Sequence, residues 1–291
     1  AEFLELDGYW ILDLPDTGLL ERIPDVKAVV ESKVKELGVT MLLTHTDVDV
    51  HGDHRAIFAA VREAARAVAY GADGVGLYRT EFLFLDRPDL PGEDEQYEAY
   101  RSVAEAFGER PVIVRTLDIG GDKDIPALGL PQQVNPFLGW RALRICLDRR
   151  ELFLTQLRAL WRASSYGNVH IMFPMVTTVE ELRLAKAVLA EAGRELDEQG
   201  VRRGRKLPTG IMVETPAAAT IARVLAREVA FFSLGTNDLT QYTLAVDRGN
   251  ALVSHLYDPF HPAVLSLIAD TVDAAPEAGT WCGLCGERAA D

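Results

Sequence analysis

Apolar residues fall along this chain in short unbroken blocks, each closed by a charged residue, with longer stretches of helical spacing between them. The clearest blocks are Gly74-Val-Gly-Leu-Tyr-Arg79-Thr-Glu81, Val112-Ile-Val-Arg115-Thr-Leu-Asp118, Gly210-Ile-Met-Val-Glu214-Thr-Pro216 and Phe231-Phe-Ser-Leu-Gly-Thr-Asn237-Asp238. Each reads as a buried strand. Strands are expected near 40–45, 73–79, 111–117, 169–175, 210–216, 231–236 and 280–285, with helical patterns between them. Ahead of these, residues 3–14 read as a hairpin around Asp7-Gly8, an Asp-Gly pair being a strong turn signal. Residues 24–37 read as an amphipathic helix: Val26, Val29, Val30, Val34 and Leu37 are spaced near 3.6, Pro24 suits its first turn and Gly38 its stop.

Strands alternating with helices predict an α/β fold, and charges placed just beyond strand ends favour a TIM (β/α)8-type barrel over an open sheet, because the βα loops converge at that mouth. A closed barrel needs eight strands. The chain stops at Asp291, after the seventh, so the expectation is a barrel truncated after its seventh strand, carrying a short N-terminal hairpin and a linker helix.

Composition narrows the function classes. With 291 residues, 48% apolar and 25% charged, the chain suffices for one large domain and a small appendage. A net charge of -14 argues against general nucleic-acid affinity, since most of this surface would repel a phosphate backbone. Any anion must be held by a local cluster. No apolar run approaches the ~20 residues of a membrane span, and the N-terminus lacks the pattern of a signal peptide. A cytoplasmic enzyme is the expectation, and three cysteines do not make a disulfide framework.

The longer strings carry a resemblance. Gly-Leu-Tyr-Arg79-Thr-Glu-Phe-Leu-Phe, Arg115-Thr-Leu-Asp-Ile-Gly-Gly-Asp-Lys123, Asn135-Pro-Phe-Leu-Gly-Trp-Arg141, Met212-Val-Glu214-Thr-Pro-Ala-Ala-Ala, Gly235-Thr-Asn-Asp238-Leu-Thr-Gln-Tyr, Val246-Asp-Arg248-Gly-Asn and Cys285-Gly-Glu resemble the phosphoenolpyruvate-utilising enzymes. Within them the wording is nearest to the enzyme I group of the bacterial phosphoenolpyruvate:sugar phosphotransferase system. The resemblance runs from about residue 70 to the end, and several long motifs in order are far more specific than any one of them.

Phosphoenolpyruvate carries a phosphate and a carboxylate, and the planar fork of a guanidinium matches both. Arg79, Arg115, Arg141 and Arg248 are the candidates. A single arginine is more often solvated or paired at the surface, but four at strand ends or βα loops point to an anion site. The resemblance implies that Arg79, Arg115 and Arg248 grip the phosphate or carboxylate, with Arg141 and Lys123 lining the same mouth. Mg²⁺ favours one or two protein carboxylates, which Glu214 and Asp238 would supply, although either could be a structural ion pair. The resemblance makes these two the metal ligands and sets Asn237 beside them on the substrate. It makes Cys285 the acid that protonates enolpyruvate, where the plain alternative is a buried apolar cysteine.

Two other strings compete for attention. Trp281-Cys282-Gly-Leu-Cys285 looks like a thioredoxin motif in the wrong context, and a Cys282-Cys285 disulfide would consume the proton donor. His45-Thr-Asp47-Val-Asp49-Val-His51-Gly-Asp53-His54 has ligand types at alternate positions, yet it is read as a solvated, enlarged βα loop rather than a metal site.

Enzyme I relays phosphate through a histidine on a separate swivelling domain, and none of the six histidines here has that setting. Residues 1–20 are therefore read as the last hairpin of a phosphohistidine domain, 21–38 as a linker helix and 39–291 as a phosphoenolpyruvate-binding barrel lacking its last βα unit. The implied partners are phosphoenolpyruvate and pyruvate, that phosphohistidine domain, the carrier HPr and a second copy in a homodimer. Two other classes stay open: a ligand-binding regulatory module without turnover, and a different Mg²⁺-enolate barrel enzyme.

Overall fold

Residues 42–43, 73–85, 88–121 and 125–285 are described by a computed structural model. The hairpin, the linker helix, the His45–His54 string and Lys123 lie outside them.

The described residues contain seven strands: β1 (Leu42–Leu43), β2 (Val75–Arg79), β3 (Pro111–Arg115), β4 (Asn168–Phe173), β5 (Thr209–Val213), β6 (Phe231–Gly235) and β7 (Trp281–Cys285). Between them run α1 (Glu93–Phe107), α2 (Leu143–Asp148), α3 (Arg150–Ala163), α4 (Val179–Glu198), α5 (Pro216–Thr220), α6 (Ala222–Leu225), α7 (Thr236–Leu244) and α8 (Pro262–Glu277). Every expected strand is present. Several stop short of the sequence expectation, β3 at Arg115 rather than 117 and β5 at Val213 rather than 216. The chain leaves the ladder at or just before the charged residue that closes each apolar block.

The chain divides into two units. One takes the described residues up to Ile171 together with Val188–Leu207, so it holds β1, β2, β3 and the first part of β4. The pairing is parallel, with Val75 opposite Val112 and Arg79 opposite Arg115. Behind these strands α1 and α3 bury Tyr100, Phe153, Leu157 and Leu160. Arg158 and Arg162 of α3 clasp Glu93 at the start of α1, at 2.6 and 2.7 Å.

The other unit takes Met172–Ala187 and the chain from Pro208 onward, with β5, β6 and β7 again parallel and in chain order. Its helix starts follow local chemistry. Thr178 Oγ1 accepts the Glu181 N–H while the Glu181 carboxylate accepts the Thr177 and Thr178 N–H groups, which is a capping box. Proline occupies the first turn of α5 and of α8, where its missing N–H costs nothing.

Gly210 lies opposite Phe231, and a Cβ there would sit 2.5 Å from the Phe231 ring. The ring fills the space that the glycine leaves and stacks on Trp281 with centroids 4.8 Å apart. Phe231 is fully buried, so Phe231→Ala should remove about 3–5 kcal/mol of stability. Urea denaturation followed by circular dichroism measures it, and a loss below about 1 kcal/mol would mean the ring is not part of the core.

Candidate active site

Arg79 and Arg115 stand side by side because they close adjacent parallel strands in register. Arg115 is 5% exposed, a costly place for a cation without a counter-charge. Two carboxylates supply it, one from the end of the adjacent strand and one three residues further along the chain. Glu81 pairs with Arg115 Nη2, and Asp118 Oδ2 lies 3.0 Å from Nη1. The other oxygen of Asp118 receives Arg141 Nη2 at 3.1 Å. Glu81, Asp118 and Arg141 are all nearly fully buried, so two carboxylates and two guanidiniums alternate in one row. Gly120, at φ +96°, lets the second arginine approach: a Cβ there would lie 2.6 Å from Arg141 Cβ. The Arg141 guanidinium also stands 5.7 Å from the centre of the Phe137 ring.

In the other unit the charged groups follow β5 and β6. Glu214, 1% exposed, accepts the Met175 N–H at 2.6 Å. Met175 has φ +55°, an uncommon conformation for a residue with a side chain, and the bond from Glu214 fixes it. Gly235 must be glycine, since a Cβ would meet Glu214 Cβ at 2.8 Å. Asp238 lies in the first turn of α7, a favourable place for a carboxylate. Arg248 Nη1 is 3.5 Å from Asp238 Oδ1, and the Arg248 N–H donates to Gln241 Oε1. Asn237 is half-buried beside Asp238, its carbonyl accepting the Tyr257 hydroxyl.

Cys285 closes β7 opposite Gly235. Its sulfur, 2% exposed, accepts the Ser233 hydroxyl at 3.1 Å and lies 3.4 Å from the Leu234 carbonyl. The thioredoxin-like string is thus an extended strand, not a helix start. Residues three apart on a strand have Cα atoms about 10 Å apart, beyond the ~7 Å that a disulfide spans. Cys146, Cys282 and Cys285 are all free thiols. Burial, and then the electrostatic influence of Cys285, push the Cys282 thiol up to about 11.

Two of the described histidines have structural contacts. His170 is half-buried on β4 and bonded to Asn168, with its pKa lowered by burial. His261 caps α8 by accepting the Ala263 N–H on Nδ1.

The structure therefore brings Arg79, Arg115 and Arg141 into one unit, and Glu214, Asn237, Asp238, Arg248 and Cys285 into the other. Sequence reasoning missed Glu81, Asp118 and Ser233. The first two had a signal, a carboxylate two or three residues after each strand-end arginine. Ser233 had none, because its bond to Cys285 exists only through strand pairing.

A profile described as PEP-utilising enzyme, PEP-binding domain, matches residues 36–291. The chain belongs to this family. It is 50% identical over 278 residues to a phosphoenolpyruvate-protein phosphotransferase of Haemophilus influenzae, a match covering 95% of this chain and 48% of the relative. A protein of the same name from Bacillus sp. (strain S) is 49% identical over 287 residues, covering 98% of this chain and 50% of the relative. The chain thus spans about half the length of the curated relatives it matches. Among solved structures it is similar to a citrate lyase from Burkholderia xenovorans LB400, with 16% identity, 85% of this chain and 63% of that one covered, and a TM-score of 0.50. At that identity the likeness is one of fold alone.

Family membership and the strand setting of the cysteines give one expectation. Intact mass after incubation with oxidised glutathione should show no loss of two hydrogens, and alkylation of Cys282 should be slow at pH 8 and accelerate as pH rises toward 11. An intramolecular Cys282–Cys285 disulfide would contradict the strand geometry.

Proposed function

We propose that this chain is the phosphoenolpyruvate-binding catalytic domain of a phosphoenolpyruvate-protein phosphotransferase, folded as a TIM-type barrel and acting in the cytoplasm. The observation that carries the reading is the family match over residues 36–291, in which Arg79, Arg115 and Cys285 close strands and Glu214 directly follows one. In parallel α/β proteins that is where ligands bind.

On this reading Arg79, Arg115 and Arg248 bind the phosphate and carboxylate, and Arg141, Lys123 and Asn237 serve the same substrate. Arg115 and Arg141 are already ion-paired, so their forks are oriented before substrate arrives, which cuts the ordering cost of binding. Glu214 and Asp238 would hold Mg²⁺. The donor set fits: both are buried carboxylates, the hard oxygen ligands of which Mg²⁺ takes one or two while keeping the rest of its shell for water and substrate. When bound, the ion supplies Lewis-acid stabilisation of charge on the substrate oxygens.

The reaction breaks the bond between phosphorus and the enol oxygen, and the phosphoryl group passes to a histidine on a separate domain and from there to HPr. The electron pair left on the enolate draws a proton from the Cys285 thiol to the methylene carbon, giving pyruvate and a thiolate that solvent reprotonates. Ser233, donating to the sulfur, orients that thiol. Residues 1–20 are the end of the phosphohistidine domain, 21–38 the linker and 39–291 the barrel, which pairs with a second copy as a homodimer.

Calorimetric titration of phosphoenolpyruvate into the chain tests this reading. Binding should require Mg²⁺ and be weakened about 10- to 100-fold in Arg248→Ala, the cost of losing charge-assisted hydrogen bonds of about 1.5–3 kcal/mol. Glu214→Ala should abolish the Mg²⁺ requirement along with the affinity. Equal binding by wild type and both variants, or no binding by the folded wild type, would overturn the assignment.

A further inference from the structure

Helix α3 carries a polar residue where its pattern calls for an apolar one. Phe153, Leu157 and Leu160 form its buried face, and Gln156 lies on that face with 1% exposure. A buried amide has to be hydrogen-bonded on both atoms or it destabilises the fold. Gln156 meets the demand at the ends of β2 and β3. Its Oε1 accepts the Leu117 N–H at 3.0 Å, while Nε2 donates to Thr80 Oγ1 and to the Tyr100 hydroxyl, each at 3.2 Å.

The partners pass the connection on. Thr80 Oγ1 donates to the Arg115 carbonyl at 3.0 Å, so the peptide after Arg79 is tied to the peptide of Arg115. Tyr100 donates to Gln96 Oε1 at 3.1 Å, and Gln96 Nε2 donates to the Pro91 carbonyl at 3.0 Å. The direction of every bond is fixed. The Leu117 group that faces the amide is its N–H, so the amide must turn its oxygen there and its nitrogen toward the two hydroxyls. Thr80, Gln96 and Tyr100 are buried as completely as Gln156.

We propose that Gln156 is a positioning residue for anion binding. One side chain on a helix locks together the two strand ends that carry Arg79 with Glu81 and Arg115 with Asp118, and so sets where the guanidinium forks point. Gln156 touches no substrate and acts through Thr80 and the backbone that follows Arg115. The inference rests on the reading that Arg79 and Arg115 bind phosphoenolpyruvate.

The test compares wild type with Gln156→Met, which keeps the length of the side chain and removes both bonding atoms, and with Thr80→Val, which removes only the hydroxyl link. For each folded protein the Kd for phosphoenolpyruvate is measured with saturating Mg²⁺ at a temperature well below its Tm. A merely structural loss of stability leaves the Kd of the folded protein unmoved. If the amide positions the arginines, both variants bind about ten- to a hundredfold more weakly, the scale expected when binding groups are displaced by about an ångström. An unchanged Kd in either folded variant, with wild type binding, overturns the positioning role and leaves the proposed function standing. Absence of binding by folded wild type removes the proposed function and the inference with it. Should Gln156→Met fail to fold, Thr80→Val decides.

Discussion

A row of buried charges, Glu81, Arg115, Asp118 and Arg141, is the constraint on which the first unit depends. A guanidinium at the end of an apolar strand cannot be buried alone, because desolvation would cost far more than a domain's net stability. Each arginine here is neutralised by a carboxylate from a strand-end motif. Such a network adds little to net stability, since desolvation and attraction nearly cancel, but breaking it by removing one partner costs about 3–5 kcal/mol. What the row provides is orientation.

The second unit also recruits backbone to hold its charged groups. Glu214 is held by the N–H of a left-handed Met175 and by the space that Gly235 leaves. Asp238 sits where the first turn of α7 favours a negative charge, and Gln241 anchors the backbone of Arg248 from the same helix. Cys285 is steered by a hydroxyl on the neighbouring strand. In both units Arg79, Arg115, Glu214 and Cys285 lie at or directly after strand ends, and groups from neighbouring loops, helices and strands contact Arg115, Glu214 and Cys285.

Much of this was legible in the sequence, and the limits are physical. Apolar blocks located all seven strands because a buried strand leaves no room for polar residues. They overshot at β3 and β5 because the charged residue that marks the block is also where the ladder ends. Strand-end arginines and carboxylates stood out as candidates by position alone. Their pairing did not, although Glu81 and Asp118 lie two and three residues beyond Arg79 and Arg115, because the bond from Glu81 crosses to the neighbouring strand. The cysteine string was ambiguous for a different reason: four residues read alike on a strand or at a helix start, and only the strand separates the thiols. Gln156 carried a signal of its own, an amide among Phe153, Leu157 and Leu160, whose meaning required knowing what the helix faces.

The central claim is that buried carboxylates preset the arginines for an anionic substrate, and the affinity of Asp118→Asn for phosphoenolpyruvate tests it most directly. Simple charge counting makes the variant the stronger binder, since a negative charge beside two guanidiniums has gone. Presetting predicts the reverse, a weaker complex in a folded protein, because Arg115 and Arg141 lose the group that aligns them both. Tighter or unchanged binding in the Asp118→Asn variant would contradict the account.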